Sequence, residues 1–166
     1  MMPLTDQFGR AVNYLRLSVI DRCNLRCHFC MPLHGLEFYA NHELLSFDDL
    51  VFTLQVANRL GIDRVRITGG EPLLRPHLPE LIRRLKAEAG VRQVSMTTNA
   101  MLLARHARAL VEAGLDWVNV SLESLHPERY QAITRFGLLE NVWAGIRAAA
   151  EAGLPTIKIN TLIMKD

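Results

Sequence analysis

Tyr14-Leu15-Arg16-Leu17-Ser18-Val19-Ile20 runs without a break into Asp21-Arg22-Cys23-Asn24-Leu25-Arg26-Cys27-His28-Phe29-Cys30. Five of the first seven residues are aliphatic, aromatic or β-branched, at strand length, so the run reads as a β-strand. The polar, cysteine-bearing stretch after them reads as a loop at that strand's C-terminal end. Working outward, further strand-like runs fall at 64–68, 94–98, 117–122 and 156–163. The segments between them have helical spacing. Ser46 with Asp49 three residues on forms a capping box that opens a helix toward Leu60. Further helices are expected at 79–89, 102–113 and 139–152, with a shorter one at 127–133. Gly61, Gly90, Gly114 and Gly153 stand where four of these helices should stop.

Strand and helix alternate throughout, which predicts an α/β fold with a parallel sheet and right-handed crossovers. Five strands with four full crossovers make a partial (β/α) TIM-type barrel, since a closed eightfold barrel needs ~250 residues. The sequence stops at Lys165-Asp166, directly after the fifth strand, and would leave an apolar parallel edge uncovered. The expectation is one core domain over 1–166, belonging to a longer protein or to one whose partner covers that edge.

Composition narrows the class. The chain has 166 residues, 49% hydrophobic and 22% charged, as in an ordinary globular domain. No stretch approaches the ~18 uninterrupted apolar residues of a bilayer-spanning helix. Met1-Met2-Pro3-Leu4-Thr5-Asp6 lacks the apolar core of a signal peptide, so a cytoplasmic protein is expected. The net charge of +2 carries no basic stripe, and the arginines at 83–84 and 105–108 fall at helical spacings that suit solvated faces. No nucleic-acid or membrane partner is expected.

Strands buried on both faces of a parallel sheet should be almost continuously apolar. Here one face alternates into polar residues in every strand: Arg16 and Ser18, then Arg64, Arg66 and Thr68, then Ser95, Thr97 and Asn99, then Asn119, Ser121 and Glu123, then Lys158 and Asn160. The opposite phase carries Leu15, Leu17, Val19, Val65, Ile67, Val118, Val120 and Leu122, which suits packing under helices. Charges inside a barrel are costly unless something pairs with them. Arg16, Arg66 and Lys158, with Arg64 as a further candidate, therefore imply an anionic ligand, and phosphates fit guanidinium groups best.

Cys23, Cys27 and Cys30 are the chain's three cysteines and lie within eight residues as C-x3-C-x2-C. An odd, clustered set argues against a disulfide framework and for metal ligation. A Cys3His zinc site completed by His28 or His34 is one reading, and would make this a non-catalytic module. The other is an iron–sulfur cluster held by three thiolates, which leaves one iron open for a further ligand.

At this point the chain resembles a known family. The C-x3-C-x2-C loop after a first strand, with Gly69-Gly70-Glu71-Pro72 after the second, resembles the radical S-adenosylmethionine (SAM) superfamily. The runs Leu15-Arg16-Leu17-Ser18-Val19-Ile20-Asp21-Arg22-Cys23-Asn24 and Arg66-Ile67-Thr68-Gly69-Gly70-Glu71-Pro72-Leu73, with Thr97-Thr98-Asn99 and Asn119-Val120-Ser121-Leu122, resemble the MoaA family within it, the GTP 3′,8-cyclases of molybdenum cofactor synthesis. The resemblance implies that Cys23, Cys27 and Cys30 ligate a [4Fe-4S] cluster. It implies that Phe29 (through its backbone), Gly70 and Ser121 bind S-adenosyl-L-methionine, the glycines letting the backbone approach the ligand. It implies that Arg16, Arg66, Thr97 and Lys158 bind GTP.

The implied reaction is cleavage of SAM by one electron to methionine and a 5′-deoxyadenosyl radical, which takes the 3′ hydrogen of GTP before closure onto guanine C8. The product is (8S)-3′,8-cyclo-7,8-dihydroguanosine 5′-triphosphate. An external electron donor, cyclic pyranopterin monophosphate synthase as the downstream enzyme, and a homodimer as one open arrangement belong to the same expectation. The second cluster and Gly-Gly tail of the family have no counterpart in this sequence, which has no cysteine after Cys30, and Ala100 stands where a glycine is usual. Weak or no cyclase activity is expected of 1–166 alone. A peptide-modifying maturase of the same superfamily stays open as an alternative.

Overall fold

The computed structural model describes residues 4–163. Met1-Met2-Pro3 and Lys165-Asp166, on which the expectations about the two ends partly rested, lie outside the described residues. Five strands form one parallel sheet: β1 (Tyr14–Ser18), β2 (Arg64–Thr68), β3 (Gln93–Thr98), β4 (Trp117–Ser121) and β5 (Thr156–Asn160), in the spatial order of the sequence. Strands added one after another in a single direction build the wall of a barrel, whereas a doubly wound sheet reverses direction midway. The α/β, partial-barrel architecture is therefore as expected from the sequence.

The connections are α1 (Phe47–Arg59), α2 (Leu78–Ala87), α3 (Leu103–Glu112), α4 (Pro127–Thr134) and α5 (Leu139–Glu151). Ser46 caps α1 through the expected box, its Oγ accepting from Asp49 N at 3.2 Å while Asp49 Oδ2 accepts from Ser46 N at 3.0 Å. Gly61, Gly90, Gly114 and Gly153 all have positive φ at the helix ends where the sequence placed them.

The core lies between the helices and one sheet face. Val65, Ile67, Val94, Met96, Val118 and Val120 are buried there against Leu50, Leu54, Leu81, Ile82, Leu85, Leu103, Leu110 and Val142. The fifth strand is the exception, since Ile159 is 47% exposed and Lys158 and Asn160 are also exposed. No helix among the described residues is long and apolar enough to cross a membrane.

Candidate active site

The cysteine loop hangs from the C-terminal end of β1 and is pinned on two sides. On one side Gly70 N donates to Ile20 O at 2.7 Å and Glu71 N to Arg22 O at 2.8 Å. On the other, Arg26 N and His28 N donate to Thr134 O and Ile133 O at the end of α4, at 3.2 and 3.1 Å. Cys27 thus sits between two anchored neighbours, and its carbonyl accepts from both Cys30 N and Met31 N at 2.9 Å in a tight turn. The Arg26 guanidinium closes the loop on itself by donating to Cys23 O at 2.6 Å and Leu25 O at 2.9 Å.

Cys23 and Cys27 are half-buried and Cys30 is exposed. Burial pushes the Cys27 thiol up to about 11, and the neighbouring Cys23 and Cys30 push it the same way. Burial likewise raises Cys23. Among the described residues no group of three or more His, Cys, Asp or Glu side chains is drawn together as a metal site. The donor set nevertheless fits a cationic iron–sulfur group, because three thiolates on one loop repel one another until a cation draws them in. Phe29 is 41% exposed and meets His28 edge-on, ring centroids 6.0 Å apart. His28 lines a surface pocket with Glu123, Arg129 and Ile133.

Sequence reasoning missed the role of Glu71. It is 1% exposed and accepts from Leu73 N at 3.1 Å, Thr98 Oγ1 at 2.7 Å and Asn99 N at 2.8 Å. Asn99 Nδ2 in turn donates to Asn24 Oδ1 at 2.8 Å inside the cysteine loop. One buried carboxylate therefore ties the ends of β2 and β3 to the loop after β1. Burial raises its pKa, while its three hydrogen bonds oppose the rise. The available signal was an acidic residue in an otherwise apolar turn.

The glycines have a structural reason not visible in the sequence. A Cβ on Gly70 would overlap the Arg22 carbonyl and lie 2.7 Å from Asp21 O, and one on Gly69 would overlap Ile20 O. The close approach they permit is between the β2 turn and the backbone leaving β1, rather than only toward a ligand.

The polar strand face is as expected in phase and richer than expected in content. Arg16 lies beside Arg66, Arg66 beside Ser95, and Ser95 beside Trp117, which forms one row across the sheet. Thr97, Asn119 and Lys158 lie side by side in the row above. Ser121 and Asn160 are paired above that. Among the described residues none of Arg16, Arg66 and Lys158 forms an ion pair, whereas Arg64 approaches Asp63 at 3.9 Å.

Two aromatic residues counted only as strand formers share this face. The Arg66 guanidinium lies 5.4 Å from the Tyr14 ring centroid, and Lys158 Nζ lies 5.1 Å from that of Trp117. Each cation reaches an aromatic ring nearer the N-terminal ends of the strands, away from the cysteine loop. Arg66 Nε, Trp117 Nε1 and Asn119 Oδ1 are buried polar atoms with no hydrogen-bond partner among the described residues. Arg64 Nε is a fourth on the same face, and native interiors leave few such atoms.

Known proteins resemble this chain over nearly its whole length. A 52% identical relative from Listeria welshimeri, over 99% of this chain and 50% of that protein, is named GTP 3′,8-cyclase. Another of that name, from Thermodesulfovibrio yellowstonii, is 47% identical over 98% of this chain and 51% of its own. The chain thus spans about half the length of the curated relatives it matches. Among solved structures, Streptococcus suis SuiB bound to S-adenosylmethionine superposes with a TM-score of 0.77 at 21% identity, over 93% of this chain and 35% of that one. Methylornithine synthase PylB gives a TM-score of 0.71 at 17% identity, over 89% of this chain and 44% of its own. Both likenesses show the fold. A model of the Radical SAM superfamily matches residues 17–166, from the first strand through the cysteine loop to the end of the sequence, and the chain belongs to that superfamily.

Proposed function

We propose that this chain supplies the SAM- and GTP-binding core of a GTP 3′,8-cyclase. The observation that carries the reading is the row structure of the open sheet face. Among the described residues Arg16, Arg66 and Lys158 have no ion-pair partners, and they share that face with Thr97, while the cysteine loop stands at the opposite end of the strands. Three cations held without carboxylates call for a polyanion, and a triphosphate supplies one. This charge favours a nucleotide over the peptide of a maturase. The relatives near 50% identity bear the same activity in their names.

Cys23, Cys27 and Cys30 would hold the [4Fe-4S] cluster. Phe29, Gly70 and Ser121 would bind SAM beside it. When both are bound, one electron from an external donor, passed through the cluster to SAM, would yield methionine and a 5′-deoxyadenosyl radical. The chain's own residues fix the nucleotide beneath: Arg16, Arg66 and Lys158 grip phosphates, Thr97 lies at the level of Lys158, and the helices behind the sheet keep it rigid. We place the reaction in the cytoplasm, where thiols stay reduced, with cyclic pyranopterin monophosphate synthase taking the product and a homodimer as one assembly.

Anaerobic reconstitution with iron and sulfide, followed by absorption spectra with and without SAM and calorimetric titration with GTP, tests the reading. A brown chain whose spectrum responds to SAM and which binds GTP supports it, with Cys27→Ala abolishing the colour. A colourless chain that retains zinc, or one indifferent to GTP, overturns it.

A further inference from the structure

We infer that Asn119 is a specificity-determining contact to the ribose of the nucleotide, accepting a hydrogen bond from a sugar hydroxyl. The inference rests on the GTP-binding reading above and goes beyond it by naming what a buried carboxamide on β4 recognises. Asn119 is 3% exposed, yet its Oδ1 has no partner among the described residues. A buried, unpaired amide oxygen is costly unless an external donor meets it. Its cross-strand neighbours are Thr97 on one side and Lys158 on the other, so its side chain lies on the same open face.

The donor can be identified by elimination along a nucleotide. Phosphate oxygens at neutral pH carry no proton to give, so the anionic end cannot satisfy an acceptor. Asn119 stands two residues above Trp117, which lies in the row of Arg66 and Ser95, and two below Ser121. At a rise of ~3.3 Å per residue it is ~6.6 Å from each level. Lys158 leans down to the Trp117 row, and Arg66, already in that row, leans below it toward Tyr14. A ligand whose phosphates lie on those cations presents its sugar, with two hydroxyl donors, at the level of Asn119. The base lies beyond the sugar. A ribose hydroxyl is therefore the donor nearest this oxygen.

The same geometry gives the site a selectivity that the cations cannot provide. Arg16, Arg66 and Lys158 attract any triphosphate alike, whereas an acceptor at sugar height separates a ribonucleotide from its deoxy analogue. Losing one buried hydrogen bond of this kind changes affinity by about tenfold.

The experiment is calorimetric titration of the chain with GTP, 2′-deoxyGTP and 3′-deoxyGTP. Wild type should bind GTP about tenfold tighter than one of the two analogues. Asn119→Leu should bind GTP and that analogue equally, at the wild-type affinity for the analogue. Asn119→Asp keeps the acceptor while placing a carboxylate near phosphate, so it should bind every ligand more weakly and retain the preference. Far-ultraviolet circular dichroism checks that both variants fold. A wild-type chain that binds all three nucleotides equally, or an Asn119→Leu variant that keeps the preference, overturns the inference and leaves the GTP reading standing. A chain that binds no GTP overturns both.

Discussion

Gly70→Ala tests whether the β2 turn and the cysteine loop are held together by backbone contact. The added Cβ would overlap the Arg22 carbonyl and stand 2.7 Å from Asp21 O, both of them backbone that cannot swing aside. Relief needs a separation of about 1 Å between the two segments, since carbon contacts settle near 3.5 Å. That separation stretches the bonds from Gly70 N to Ile20 O and from Glu71 N to Arg22 O past useful length. Two such bonds, with their groups left unpaired, cost about 3 kcal/mol. Gly153→Ala is the control: φ there is +83° and no atom lies within 4 Å of the added carbon, so only backbone strain of about 1 kcal/mol applies. With an urea slope near 2 kcal/mol/M, the unfolding midpoint should fall by about 1.5 M for the first variant and 0.5 M for the second. Equal losses for the two variants would refute the argument, since the overlap at Gly70 would then cost no more than the left-handed backbone strain at Gly153. Gly70→Ala should also take up less iron than Gly153→Ala on reconstitution, because only the former displaces Arg22 beside Cys23.

Three further outcomes follow. Burial holds the Glu71 carboxyl above its ordinary value, so the native chain binds that proton more tightly than the unfolded chain does. The resulting stability is present below pH 4.5, the ordinary value, and is lost as pH rises through the native one. The stability of wild type relative to Glu71→Gln should therefore decline from acid to neutral pH in urea titrations, and a flat difference would count against a raised value. Ala100 has a φ of 60° and is fully buried. In Ala100→Gly the relief of left-handed strain, ~1–2 kcal/mol, opposes a methyl group lost from the core and a freer unfolded chain, ~0.8 and ~0.5–1 kcal/mol. Near-neutral stability, within ~1 kcal/mol, is expected, and a loss beyond ~2 kcal/mol would show that the methyl packs better than its surroundings suggest. Arg66→Gln removes charge-assisted contacts of ~1.5–3 kcal/mol, so calorimetry should show GTP affinity falling by roughly 10- to 100-fold.

The strand–helix order was legible because its signals are local. Ser46 and Asp49 bond each other, and the glycines after the helices take the backbone conformation that only glycine adopts cheaply. The strand ends were less so. The apolar run 156–163 reads as one strand, yet β5 ends at Asn160 and Leu162 and Ile163 lie exposed beyond it. Hydrophobicity does not report where a neighbour's hydrogen bonds stop. Trp117 and Tyr14 were read as strand formers for the same reason. Only the register shows that Trp117 shares a row with Arg66 and that Tyr14 lies beneath it.

Glu71 shows the other limit. Its value to the fold depends on Thr98, Asn99 and Asn24, residues 27 to 47 places away that the sheet brings to one point. A carboxylate accepting from three donors at the C-terminal ends of β2 and β3 makes the sheet itself the template for the cysteine loop. Metal-ligating loops are ordinarily free to follow the metal, whereas this one is tied at Ile20 and Arg22 before its first cysteine and at Arg26 and His28 around its second. The thiols of Cys23 and Cys27 are thereby held half-buried, with their protons retained, until a cation displaces them. On the proposed function, rigidity at that end and the cations at the other would give the barrel wall two sites, joined by the Thr97–Asn119–Lys158 row between them. A molecule that reaches both must present phosphate to one and its reacting carbon to the other, and the sugar of a nucleoside triphosphate lies between its phosphates and its base.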